Sequence, residues 1–74
     1  MKSLNAWTEE IKIEREKYSI TIIEKPNEYD VYLEHPEYPM RYMFGIQKDS
    51  YTPQEVMELA IANAPDYTYM FDEE

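Results

Sequence analysis

The chain is expected to fold as an α+β domain of order α-β-β-β-α, a three-stranded antiparallel sheet with two helices packed on one face. Three observations predict this. The segments YSITIIE, YDVYLE and MRYMFGIQ are alternating or β-branched and follow one another across short turn-forming stretches. The sequence Thr52-Pro53-Gln54-Glu55 opens an apolar helical stripe. An acidic first segment carries apolar residues at helical spacing.

In that first segment, residues 4–16, Leu4, Trp7 and Ile11 fall at helical spacing with Glu9, Glu10, Glu14 and Glu16 around them. Ser3 or Thr8 would cap it, and acids near its start suit the positive end of a helix. Ile11 and Ile13 also alternate, so a strand that begins early is the competing reading.

Tyr18 to Glu24 reads as the first strand, and Pro26-Asn27 breaks it with turn chemistry. Tyr29 to Glu34 alternates again, with Tyr29, Val31 and Leu33 on one face. The stretch His35-Pro36-Glu37-Tyr38-Pro39 is a loop, because each proline restricts itself and the residue before it. Met40 to Gln47 is the third strand, with Met40, Tyr42, Phe44 and Ile46 on one face.

Thr52 at the cap, Pro53 at the first helical position and Glu55 three residues after the cap start the second helix. Val56, Leu59, Ala60 and Asn63 share its stripe, and Ala64-Pro65 ends it. Tyr67, Tyr69 and Phe71 alternate ahead of three acids, giving a short C-terminal strand or a docked tail.

If Ile20, Ile22, Val31, Leu33, Phe44 and Ile46 face the helices, alternation assigns the opposite sheet face. That face would carry Ser19, Thr21, Ile23, Asp30, Tyr32, Glu34, Arg41, Met43 and Gly45. Aromatic and Met groups rimmed by charge have the composition of a protein interface, or of an ordinary solvated sheet surface.

With 74 residues there is room for a single domain, 1–74, whose thin core leans on eight Tyr, two Phe and one Trp. There is no Cys, which excludes a disulfide framework and a thiolate zinc site. MKSLNAWTEEIK has acids where a signal peptide needs an apolar stretch, and Leu59-Ala60-Ile61-Ala62 is the longest apolar run. A soluble, cytoplasmic protein with no membrane partner is expected.

Catalytic chemistry finds little to work with, and neither enzyme activity nor a cofactor is expected. His35 is the one histidine, between Glu34 and Glu37. Adjacent strand residues point to opposite faces and Pro36 redirects the chain, so a loop histidine is expected rather than a metal or acid–base group. The single Gly removes Gly-rich phosphate loops, and the many carboxylate pairs read as solvated faces.

Sixteen acids against seven basic residues give a formal charge of -9. Direct nucleic-acid binding is disfavoured, since phosphate contacts need Lys and Arg stripes, and a basic protein partner is the natural complement. The acids group as Glu9, Glu10, Glu14 and Glu16, as Glu28, Asp30, Glu34 and Glu37, and as Asp72, Glu73 and Glu74. Such groups could present phosphate-like charge to a basic groove.

In its helix, YSITIIE, YDVYLE, MRYMFGIQ, helix layout and dense acids, the chain resembles small phage-encoded anti-CRISPR inhibitors. Some of these use acidic α-β-β-β-α folds to occupy a nuclease's DNA-reading site. The resemblance implies a non-catalytic inhibitor that binds a basic nucleic-acid-handling protein, such as a CRISPR-associated nuclease, by DNA mimicry. It implicates Glu9, Glu10, Glu14, Asp30, Glu34 and Glu37, with Tyr32 as an apolar anchor. Strands followed by TPQEVMELAIANA also resemble HicB-like antitoxin domains, although the Gly-rich turns of those domains are missing here. That family implies a basic toxin partner and oligomerisation, and a structural or adaptor domain, homodimeric through an exposed strand edge, is the third reading.

Overall fold

The computed structural model describes residues 5–71. Four strands, β1 (Ala6–Ile13), β2 (Glu16–Glu24), β3 (Glu28–His35) and β4 (Tyr38–Gln47), form one antiparallel sheet in the order β1-β2-β3-β4. Helix α1 (Pro53–Asn63) and a contiguous 3₁₀ segment (Ala64–Phe71) follow and cover one face. The expected α-β-β-β-α order with three strands is thereby corrected. The chain enters the sheet with a strand, and the helical layer of the described residues lies wholly after β4. The broader α+β character stands.

The N-terminal correction has a simple cause. Trp7 and Ile11 are four apart, a spacing that both a helix and a strand place on one face, so the Leu4–Trp7 step of three favours a helix and the Ile11–Ile13 step of two a strand. Pairing decides it: Trp7, Glu9, Ile11 and Ile13 stand opposite Ile22, Ile20, Tyr18 and Glu16. The pairing closes through a two-residue turn in which Glu14 (φ 51°) and Arg15 (φ 74°) both take positive φ. Tight hairpins need this backbone, normally supplied by Asn-Gly. With Glu-Arg in its place the turn carries no local signature. Of the expected helix, Ser3 and Leu4 lie outside the described residues.

Burial of the fully enclosed apolar side chains is one-sided. Ile20, Ile22, Val31 and Leu33 of the two central strands are fully buried, and Val56 and Ala60 of α1 pack into the same cluster. Phe44, Ile46, Trp7, Ile11 and Ile13 add partly buried margins, so the expected inward set holds. The helix starts as its sequence predicts: Glu55 N–H donates to Thr52 Oγ1 at 3.2 Å, and Thr52 N–H donates to Glu55 Oε1 at 2.9 Å.

After Asn63 the chain winds into 3₁₀ rather than a strand, and this segment docks against the sheet through Phe71. Pro65 has no N–H to continue the α-helical ladder, and three residues per turn put Ala64, Tyr67 and Met70 on one side. The alternation of Tyr67, Tyr69 and Phe71 is thus incidental: Tyr69 is exposed while Phe71 is buried against Tyr18 and His35. Residues 72–74 of the expected final segment lie outside the described ones.

One further correction concerns β4. A register shift between Val31 and Tyr32 sets Phe44 opposite Val31 but Tyr42 opposite Tyr32. The extra residue, Met43, turns into the core at 7% exposure, and Tyr42 emerges on the open face. Arg41 comes to stand opposite Leu33 instead of facing outward with Tyr32. Beyond the bulge, strict alternation assigns the wrong side.

Left-handed backbone costs a non-glycine residue about 1–2 kcal/mol. Replacing the turn by Asn-Gly (E14N/R15G) is expected to raise stability by about 1–2 kcal/mol and the thermal midpoint by roughly 5–10 °C. Calorimetry checks this, and an unchanged midpoint would show that the turn is not strained.

Candidate functional site

The face of the sheet away from the helix can be read in rows from the strand register. Lys12 stands opposite Lys17; Glu10, Ser19 and Glu34 form the next row; Thr8, Thr21, Tyr32 and Tyr42 the third; Ala6, Ile23, Asp30 and Gly45 the fourth. The middle is knit together. Thr8 and Thr21 hydroxyls meet at 3.2 Å, Thr21 donates on to Glu34 Oε2 at 3.3 Å, and the Tyr32 and Tyr42 rings meet edge to face.

Asp30 is the unusual member. It is 6% exposed on a face with no helix over it. Its Oδ2 pairs with Lys25 Nζ at 3.0 Å, and this pairing holds the lysine above its ordinary value. Its Oδ1 is buried without a hydrogen-bond partner among the described residues. Two residues earlier on the same face, Glu28 has its carboxyl raised, first by hydrogen bonding to Asp30 and then by that residue's charge. Asp30 Oδ1 and Glu28 Oε2 both approach the space beside Gly45, at 3.3 and 3.6 Å from where its Cβ would stand.

Gly45 keeps this cluster compact. A Cβ there would meet Tyr42 Oη at 2.8 Å and Asp30 Oδ1 at 3.3 Å. Desolvation of that tucked hydroxyl, and then the charges of Asp30 and Glu28, raise Tyr42 above the usual phenol value.

His35 is not a loop residue but the last residue of β3. Its Nδ1 accepts the Glu37 N–H at 3.0 Å, which leaves the proton on Nε2 to donate to Glu16 Oε1 at 2.9 Å. Tyr18, Tyr38 and Phe71 pack around the ring. Both nitrogens are therefore engaged in closing the β3–β4 turn and tying it to β2.

The carboxylates singled out by sequence do not converge. Glu10, Asp30, Tyr32 and Glu34 share the open face, where Lys12, Lys17 and Lys25 are interleaved with them. Glu9 shares the helix-side face with Trp7 and lines a groove of about 400 Å³ with Thr8, Pro53, Gln54 and Met57. Glu14 and Glu37 sit in the two turns at one end of the sheet.

A different surface concentrates the charge. From Asp49 onward the sequence holds seven of the sixteen acids, Asp49, Glu55, Glu58, Asp66, Asp72, Glu73 and Glu74, and no Lys or Arg. The earlier residues are nearly balanced, and Lys48, the last cation, is held by Glu24 at 2.6 Å. Among the described residues the helix and the 3₁₀ segment carry Glu55, Glu58 and Asp66 and no Lys or Arg, while Asp72, Glu73 and Glu74 lie outside the described residues; Ile61 and Tyr69 are exposed on these elements and Tyr51 just ahead of them. Counting charges by segment rather than by cluster would have found this stretch.

No known family model, curated protein or solved structure matches the chain. These comparisons do not bear on the anti-CRISPR likeness, which rests on layout and dense acids; of the two, the helix-first layout differs from the strand-first order of this fold. Among the described residues no helix is long and apolar enough to cross a membrane, and no group of three or more His, Cys, Asp and Glu side chains could hold a metal ion.

The Glu28–Asp30 contact yields a pH signature. Because the folded state raises the Glu28 carboxyl, the favourable protonated form is complete below the unfolded value and is lost as pH rises through the folded one. Glu28→Gln keeps a neutral donor beside Asp30 at every pH. The variant is expected to melt above the parent at pH 7 and level with it below about pH 4. Melting curves across that range test it; an equal gap at both ends would exclude the shared proton.

Proposed function

We propose that this protein is a non-catalytic binding module that acts in the cytoplasm, engages a basic nucleic-acid-handling protein through its acidic helical side, and competes with phosphate for that partner's cationic surface. The carrying observation is the partition of charge: among the described residues Asp49, Glu55, Glu58 and Asp66 follow β4 with no Lys or Arg, beside a sheet whose acids are interleaved with lysines. Opposite potentials steer encounter and fix orientation. Tyr51, Ile61 and Tyr69, exposed along the same stretch of chain, offer the aromatic and apolar contact typical of interface centres. A binding role is also supported by His35, the one histidine, whose two nitrogens are committed to structural hydrogen bonds.

The test is capture of partners by the full chain from a lysate of its source cells, with separate elution by salt and by duplex DNA. A nucleic-acid-binding protein released by both is expected, and reversal of the helical acids (E55K/E58K/D66K) should reduce its capture about tenfold or more. The reversal E9K/E10K/E14K serves as the contrasting surface. Capture lost with that set and retained with the helical set would move the interface to the sheet. A partner that salt and DNA both fail to release would replace competition with an antitoxin-like or adaptor complex.

A further inference from the structure

The two edges of the sheet are unlike. β4 contains Pro39, which has no N–H to offer, and its ladder to β3 is interrupted twice, between Val31 and Tyr32 and between Leu33 and His35. Bulges and proline are how sheets block edge pairing. β1 has neither. Its ladder to β2 runs without a shift from Ala6↔Ile23 to Ile13↔Glu16. The two-residue turn makes Ile13↔Glu16 a hydrogen-bonded pair, so by alternation Ala6, Thr8, Glu10 and Lys12 direct their N–H and C=O groups away from β2.

We propose that β1 pairs antiparallel with β1 of a second copy of this chain, giving a continuous sheet with four strands from each copy. The register follows from the side chains. Centring the two-fold axis on Ile11 sets Ile11 against Ile11 and puts Glu10 of each copy opposite Lys12 of the other. Centring on Glu9, Glu10 or Lys12 opposes like charges, and centring on Trp7 or Thr8 forms no opposite-charge pair.

Two observations beyond the bare edge point to this occupant. Lys12 stands directly opposite Lys17, a repulsive arrangement, and neither lysine belongs to an ion pair among the described residues. Glu10 of the second copy supplies the missing counter-charge. The groove of about 400 Å³ between Trp7, Glu9, Pro53 and Met57 flanks the same strand on its helix side. The proposed register sets Ile13 of the second copy opposite Glu9, at the mouth of this groove. Self-pairing is independent of the acidic-side reading above, because it uses β1 and not the helical acids.

Sedimentation equilibrium on the full chain tests it. A dimer is expected. Glu10→Pro removes an outward N–H while leaving the β2 ladder intact, and should abolish it. Lys12→Glu should raise the dimer dissociation constant about tenfold, and the exchange E10K/K12E should restore it to within about twofold of the parent. Circular dichroism confirms the fold of each variant; if the proline variant does not fold, the charge-exchange series alone decides. A chain that stays monomeric up to about 1 mM, or a dimer indifferent to Lys12→Glu, overturns the proposal.

Discussion

Everything in this fold is arranged around the pairing of β2 with β3, which sets Ile20 opposite Leu33 and Ile22 opposite Val31. These four side chains are fully buried, and with no Cys and no second core they are the ground against which the rest is ordered. A slip of one residue would turn one strand's pair, Ile20 and Ile22 or Val31 and Leu33, toward solvent, so the register is strongly specified. The helix meets them with Val56 and Ala60, small enough for close approach. Larger groups, Tyr18, Phe71, Tyr29 and Trp7, fill the ends of the sheet with edge-to-face and tilted ring contacts. A thin core is thereby supplemented by aromatic area at its margins.

Asp30 shows how the central pair also constrains the open face. Its place is fixed by the register that buries Val31 next to it, so the carboxylate lies beneath Tyr42 and beside Gly45 whatever its solvation. Lys25 satisfies one oxygen from the β2–β3 turn, the other is buried without a partner among the described residues, and Asp30 raises the carboxyl of the neighbouring Glu28. The cluster is a cost of the strand pairing that neighbouring side chains partly offset.

The parts of the fold that were legible in the sequence are those whose signal is local. Thr52, Pro53 and Glu55 announce the helix because cap, first-turn proline and reciprocal carboxylate all act within four residues. Ile20, Ile22, Val31 and Leu33 announce their strands by strict alternation. What was hidden depends on partners distant in sequence or on an atypical turn. β1 is rich in helix-forming Glu and Lys, and only pairing with β2, through a turn without Asn or Gly, makes it a strand. Met43 enters the core because the bulge adds a residue, which no pattern in MRYMFGIQ displays. The lack of Lys or Arg after Lys48 was legible in the sequence by counting charge along the chain, but that this stretch forms a layer apart from the lysine-interleaved sheet was not.

The size of that imbalance limits what charge can do. Over the molecule's long dimension of 36 Å, duplex DNA would carry about 21 charges, whereas the whole chain has a net -9. Pairing two copies would double the charge along with the surface and leave its density unchanged. Charge at less than half the density of DNA can steer a basic partner and set its orientation, but it is a weak competitor for sites that nucleic acid fills through many phosphates. The remaining affinity must come from contacts that nucleic acid cannot reproduce. Tyr51, Ile61 and Tyr69 are the groups along the acidic stretch able to provide them, by excluding water from the acids around them and slowing dissociation. On the proposed reading, the helical side would act as an aromatic contact surface guided by charge rather than as a copy of the duplex.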